Sequence, residues 1–172
     1  MNLLIALLTT AFLALTQHPT MPAGMSHEEH LKQLAKEEAL KKRGAEAMGF
    51  DQDAADHQFI LEPAGGSIQV TMKPGSDAAV IAEVRSHLKT IAADFAHGDF
   101  GKPLQTHAEV PTGVPAMQRS AAMITYSYGD VANGGAVRIR TRDREALQAV
   151  HDFLRYQITE HHTGDPLALK KN

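Results

Sequence analysis

The sequence predicts an α+β fold in which two ββα units form a four-stranded antiparallel sheet with two helices on one face. Two pairs of segments alternate between apolar and polar residues, as strands with one buried face do. Each pair contains a Gly-Gly dipeptide, at 65–66 and at 134–135, and each is followed by a segment with helical periodicity. A chain of 172 residues is long enough to bury one substantial core.

The N-terminal segment predicts export from the cytoplasm. Residues 3–15 form an apolar run that has the length of a signal-peptide core and is too short to span a bilayer. We therefore predict a signal peptide over residues 1–17 and a linker over 18–25. The expected location is periplasmic or secreted, with no membrane association after the signal is removed.

Residues 26–48 predict a polar amphipathic helix that precedes the folded domain. Ser26 and Glu29 form a capping box, and oppositely charged residues recur at four-residue spacing along the segment. The apolar stripe is thin, with Leu31 and Leu34 as its main members. A solvated helix of this kind would suit the docking of a protein partner.

The first ββα unit begins a domain that is predicted to extend over 49–166. Alternating runs at 57–62 and 67–73 form a hairpin whose turn is expected at Pro63-Ala64-Gly65-Gly66. A helix follows and reaches about residue 96. The segment 100–115 contains three prolines and is predicted to be a long loop, which in a compact domain is often functional.

The second unit repeats this order. Strands at 123–128 and 136–141 are joined at Asn133-Gly134-Gly135, and a closing helix runs over 143–162. Residues 167–172 form the predicted tail. The apolar residues of the closing helix recur at steps of three and four, at Leu147, Val150, Leu154 and Ile158.

Composition excludes several classes of function. The net charge of -3 argues against a nucleic-acid binder, which normally carries a basic excess. The absence of cysteine excludes disulfides, thiolate metal sites and thiol nucleophiles. The ten histidines and seven methionines are the unusual feature of the composition, because imidazole binds transition metals and thioether adds a preference for Cu(I).

The histidines and one methionine of the domain are therefore candidate metal ligands, for copper before zinc. The chain has no HExxH motif, and His151 lies ten residues from His161, about 15 Å along a helix, so these two cannot share one ion. The alternative is that His87 and His151 are core-edge residues hydrogen-bonded to backbone carbonyls, and that His161 and His162 cap the last turn of the closing helix. The candidate ligands are His57, His87, His107, Met117, His151 and His161.

Several segments resemble a small family of secreted bacterial proteins without an established activity, some of which are named aspartate carbamoyltransferase. Carbamoyltransferases bind carbamoyl phosphate through a Ser-Thr-Arg-Thr loop, and the nearest string here is Arg140-Thr141-Arg142-Asp143, which has no serine. The resemblance therefore carries over no catalytic residues. The similar segments are MGFDQDAADHQFIL (48–61), HLKTIAADFAHGDF (87–100), VPAMQR (114–119), GGAVRIRT (134–141) and HDFLRYQITEHHTGD (151–165).

The sequence thus supports three hypotheses in order. The first is a secreted or periplasmic domain that binds a transition metal through histidine and methionine. The second is a non-catalytic structural or interaction module whose helix over 26–48 docks a protein partner. Carbamoyl transfer ranks last, since neither that motif nor a nucleophile motif such as G-x-S-x-G is present, and we lean against an enzyme.

Overall fold

The computed structural model describes residues 24–169. The predicted signal peptide, most of the predicted linker and the last three residues of the tail lie outside this range. The described chain divides into two compact units, with residues 24–35 in the first and 36–169 in the second. No helix in the described range is both long and apolar enough to cross a membrane.

The helices and strands follow the predicted order. The helices are α1 (His27–Met48), α2 (Ala78–Ala96), α3 (Gly101–His107), α4 (Val114–Arg119) and α5 (Arg144–Glu160), with 3₁₀ turns at Gln52–Ala54 and Ala121–Met123. The strands are β1 (Ala55–Glu62), β2 (Gly65–Met72), β3 (Ile124–Val131) and β4 (Gly134–Thr141).

The start of α1 carries the predicted capping box. The Ser26 hydroxyl accepts the backbone N–H of Glu29 at 3.2 Å, and the Glu29 carboxylate accepts the backbone N–H of Ser26 at 2.9 Å. Lys32 and Glu28 form an ion pair at 2.7 Å with four-residue spacing. These contacts satisfy free backbone donors at the helix terminus, where the chain has few apolar contacts to stabilise it.

The four strands form one antiparallel sheet in the order β1-β2-β4-β3, with helices packed against it. This confirms the predicted α+β class and the two ββα units. Asp77 caps α2 by accepting the backbone N–H of Ala79, and Asp143 caps α5 by accepting the backbone N–H of Ala146. The core between sheet and helices contains large fully buried side chains, among them Leu61, Leu88, Phe95, Phe153 and Leu154.

The helix of each unit packs mainly on the hairpin of the other unit. Helix α2 follows β1 and β2 in the chain, but most of its contacts are with β3 and β4. Helix α5 follows β3 and β4, but among the strands it contacts β1 and β2 most. The two ββα units are therefore interlocked, and each ββα unit completes the core of the other.

The Gly-Gly pairs differ from their predicted role as hairpin turns. Gly65-Gly66 and Gly134-Gly135 begin the central strands β2 and β4, and the turns precede them. A Cβ atom on Gly65 would lie 1.9 Å from the carbonyl oxygen of Ile139, and one on Gly134 would lie 2.0 Å from that of Val70. The physical reason is close approach of the two central strands, which no residue with a Cβ atom permits.

The segment predicted as a long loop contains the short helix α3 and ends two residues into the short helix α4. Pro103 lies in the first turn of α3, and Pro115 lies at the start of α4. Proline is tolerated there because the first backbone N–H groups of a helix have no partner within the helix. Two of the three prolines in this segment therefore mark helix starts.

Candidate metal centre

Four of the six predicted ligands line a single cavity of about 70 Å³, which we call the inner cavity. They come from four different elements: His57 from β1, His87 from α2, His107 from the end of α3, and His161 from the residue after α5. This volume has room for a metal ion together with a few water molecules.

The imidazole rings contact one another or share an aromatic neighbour. The rings of His57 and His161 are stacked, with centroids 6.0 Å apart and planes inclined by 3°. The ring of His107 meets that of His161 edge-on, with centroids 5.0 Å apart. Phe50 joins the fourth histidine to the group, since its ring lies 5.8 Å from His87 and 6.4 Å from His57.

The hydrogen bond of His107 leaves one of its ring nitrogens free to act as a ligand. Its Nε2 lies 3.1 Å from the amide oxygen Oε1 of Gln157, so Nε2 carries the proton and donates it. The lone pair of a neutral imidazole then lies on Nδ1. Ligating histidines in metal sites are oriented in the same way, by donating the second N–H to a protein oxygen.

Two ring nitrogens of the group are buried and have no hydrogen-bond partner. They are Nδ1 of His107 and Nε2 of His57. Such atoms are rare in folded proteins, because a polar group removed from water without a partner costs about 1–3 kcal/mol. An unpartnered buried imidazole nitrogen is one that a bound ion or water would satisfy.

Burial keeps these histidines in the neutral form that binds metals. It lowers the pKa of His57 and of His87 to about 4, and nearby Asp56 opposes the shift at His57 only in part. It lowers the pKa of His161 to about 3, with further contributions from the neighbouring histidines. The pKa of His107 is lowered as well, also by burial.

The walls of the inner cavity explain this desolvation. Apart from the histidines they are mostly apolar, which excludes water and disfavours a charged imidazolium. The apolar side chains at the cavity are Ala47, Met48, Phe59, Ile68, Val70, Leu88, Ile91, Phe95, Pro103 and Phe153.

The other two predicted ligands lie elsewhere. Nε2 of His151 is 2.9 Å from the carbonyl oxygen of Glu62 and 3.0 Å from that of Gly65, so its proton is shared between two backbone acceptors. This is the core-edge role that the sequence left open as the alternative. Met117 is fully buried in the hydrophobic core and does not line the inner cavity. The thioether of Met117 therefore packs as an apolar side chain of the core.

The described residues contain no group of three or more His, Asp or Glu side chains whose positions would hold one metal ion. A metal that needs three or four protein ligands would require these side chains to change conformation. A metal ion that needs only two protein ligands would require less rearrangement of these side chains.

An open cleft of about 570 Å³, which we call the outer cleft, lies beside the inner cavity. His57 and His161 line both spaces. The other residues that line the outer cleft include one lysine, Lys41, and five carboxylates, from Glu37, Asp53, Asp56, Glu160 and Asp165.

Two contributors to the centre were not predicted from the sequence. Gln157 is buried on the apolar stripe of α5, three residues after Leu154, and orients His107. A polar residue at a core position of a helix is a signal that sequence analysis can use. Phe50 precedes the first strand and lies outside any periodic segment, so no pattern pointed to its contacts with His57 and His87.

The string nearest to a carbamoyl-phosphate motif has structural roles. Arg140 forms an ion pair with Glu62 at 2.6 Å, and Thr141 donates its hydroxyl to the carbonyl oxygen of Met123 at 2.7 Å. The carboxylate of Asp143 caps α5. Three of these four side chains are therefore engaged within the fold.

Comparison with known proteins adds no functional assignment. No protein-family model matches the chain, and no curated protein or solved structure is significantly similar to it.

Proposed function

We propose that this protein binds a copper ion at the inner cavity through imidazole nitrogens drawn from His57, His87, His107 and His161. The observation that carries the proposal is that four neutral histidines from four elements line one cavity, and that two of these histidines have a buried ring nitrogen without a partner. The predicted export supports it, because extracytoplasmic copper binding relies on imidazole and thioether where thiolates would oxidise.

Copper is favoured over zinc by ligand number. A structural zinc ion takes four protein ligands, and a catalytic one takes three with a water molecule. Cu(I) is stable with two imidazoles alone, so its binding requires fewer side chains to change conformation. His107 is the best-prepared ligand, because Gln157 already fixes its tautomer.

The test is a titration of the protein with Cu(I), Cu(II) and Zn(II), followed by elemental analysis after dialysis. We expect stoichiometric retention of copper and weaker retention of zinc. Replacing His107 and His161 by glutamine should lower copper affinity at least about 100-fold, since loss of ligands or of their supporting contacts changes affinity by one to two orders of magnitude each.

A matched control is His97→Gln, because His97 is an exposed histidine that lies outside the inner cavity. This variant should retain copper like the unaltered protein. Retention of copper by the His107→Gln/His161→Gln variant, with a folded domain verified by circular dichroism, would contradict the proposal. So would failure of the unaltered protein to retain any of the three metals.

The second hypothesis, an interaction module that docks a protein partner through the helix over 26–48, stays a prediction. It competes with copper binding only if the unaltered protein retains no metal.

A further inference from the structure

The inner cavity and the outer cleft meet at two residues. His57 and His161 line both spaces, and their rings stack in parallel planes 6.0 Å between centroids. We propose that the outer cleft is the route by which a copper ion reaches the inner cavity, and that these two histidines transfer it from one space to the other. This inference rests on the proposed copper site.

The charge of the outer cleft suits a cation. Five carboxylates line it against one lysine. Lys41 pairs with Asp53 at 2.8 Å, and Lys36 pairs with Glu160 at 2.9 Å, while Asp56 and Asp165 add two further carboxylates to the cleft. A concave surface with one sign of charge raises the local concentration of the opposite ion and its association rate.

The second observation is the state of His57 at the boundary. Its side chain is half-buried, its Nε2 is buried without a hydrogen-bond partner, and Asp56 acts on it electrostatically from the preceding position. A carboxylate beside an unpartnered imidazole places a cation-attracting group next to a ligand. On the proposed route, an ion that leaves the outer cleft contacts Asp56 and His57 first.

The part of the inner cavity near His87, which does not line the outer cleft, is less suitable for a cation. Lys102 lines the inner cavity and lies near enough to His87 to lower its pKa. The positive charge of Lys102 repels an approaching metal ion, whereas the carboxylates of the outer cleft attract one. The electrostatic gradient therefore runs from the outer cleft towards the histidines.

Tyrosine fluorescence can report uptake directly. The protein has no tryptophan, and the ring of Tyr156 lies 5.0 Å from that of His107, so copper bound at the inner cavity should quench the emission of Tyr156. The probe is Cu(II) mixed with the full domain in a stopped-flow instrument. The test variant is Asp53→Asn/Asp56→Asn, and the matched control is Glu83→Gln/Glu145→Gln, two exposed carboxylates outside the outer cleft.

We expect the test variant to take up Cu(II) about 3- to 10-fold more slowly at low salt, with a weaker dependence on ionic strength. The control variant should match the unaltered protein, and all three should retain the same amount of copper after dialysis. Equal uptake rates for all three, with copper retained, would overturn the route while the copper site stands. If the unaltered protein retained no copper, both the site and the route would be wrong.

Discussion

At the scale of single residues, two kinds of histidine occur in the interior of the described domain. His151 is buried and donates one proton to two backbone carbonyls, at Glu62 and Gly65. It joins α5 to the turn between β1 and β2. The ring nitrogens of His57 and His107 that face no partner belong to the other kind. Hydrogen bonding therefore distinguishes a histidine that stabilises the fold from one that is available to a ligand.

The division predicts opposite effects of substitution. His151→Ala should lower the free energy of unfolding by about 3 kcal/mol, because it leaves two carbonyl oxygens unsatisfied and opens a cavity. His151→Gln keeps an N–H donor and should cost about 1 kcal/mol. Urea denaturation measures both. Neither variant, where folded, should change copper affinity, and a loss of copper without a loss of stability would assign His151 to the site instead.

At the scale of elements, the central strands depend on glycine. Gly134 begins β4 opposite Thr71 of β2, and its missing Cβ atom leaves room for the carbonyl of Val70. Gly65 has the equivalent position at the start of β2 and a φ of 142°. The hairpins are therefore joined through two backbone contacts that tolerate no side chain.

Gly134→Ala should consequently lower the free energy of unfolding by more than about 2 kcal/mol, since backbone must move to admit the methyl group. The control is Gly129→Ala in β3, where the new Cβ atom would meet its nearest neighbour, a guanidinium nitrogen of Arg138, at an ordinary 3.5 Å. Thermal melting of the two variants tests this. Similar melting temperatures for both would mean that β2 and β4 do not approach as closely as described.

Sequence periodicity was sufficient for the long elements and insufficient for the short ones. Two-residue alternation and helical spacing predicted the strands and the helices α1, α2 and α5, because each repeats its pattern over several turns or pairs. Helices α3 and α4 have seven and six residues, too few to establish a period, and their prolines mimic loop signals. The Gly-Gly pairs resemble turns in the sequence because close contact between strands across the sheet leaves no local sequence pattern.

The sequence predicted which residue types form the candidate site, but not which of the six candidate residues line one cavity. The parity of β1 puts His57 on the face of Phe59, which follows from alternation alone. Whether His87 or His151 faces that strand depends on which hairpin each helix covers. Because α2 and α5 each pack mainly on the hairpin of the other unit, the answer is non-local. Met117 is a second example, because its burial in the hydrophobic core depends on tertiary packing and removes it from the candidate ligands.

At the scale of the whole molecule, the neutral histidines make stability depend on pH. In the folded state the pKa of His57 and of His87 is about 4, and that of His161 is about 3, while an unfolded histidine has a pKa near 6.5. Below pH 6.5 these histidines are therefore protonated in the unfolded chain but stay neutral in the native state, and the free energy of unfolding falls as the pH is lowered.

We expect the free energy of unfolding to be insensitive to these groups above about pH 6.5 and to decrease between pH 6.5 and 4, by up to about 1.4 kcal/mol per pH unit for each histidine. Urea denaturation at pH 7.5, 6 and 5 measures the slope. The variant His57→Gln/His161→Gln should show a shallower slope, and an equal slope in both proteins would assign the acid sensitivity to other groups.

The interlocked packing of the two units also bears on how the chain acquires its structure. Helix α2 is complete at residue 96, but β3 and β4, on which it mainly packs, end at residue 141. During synthesis the apolar stripe of α2 therefore emerges from the ribosome before its principal partners have been translated. A chain interrupted between the units would expose that stripe without cover, so the nascent first half needs shielding until the second half arrives.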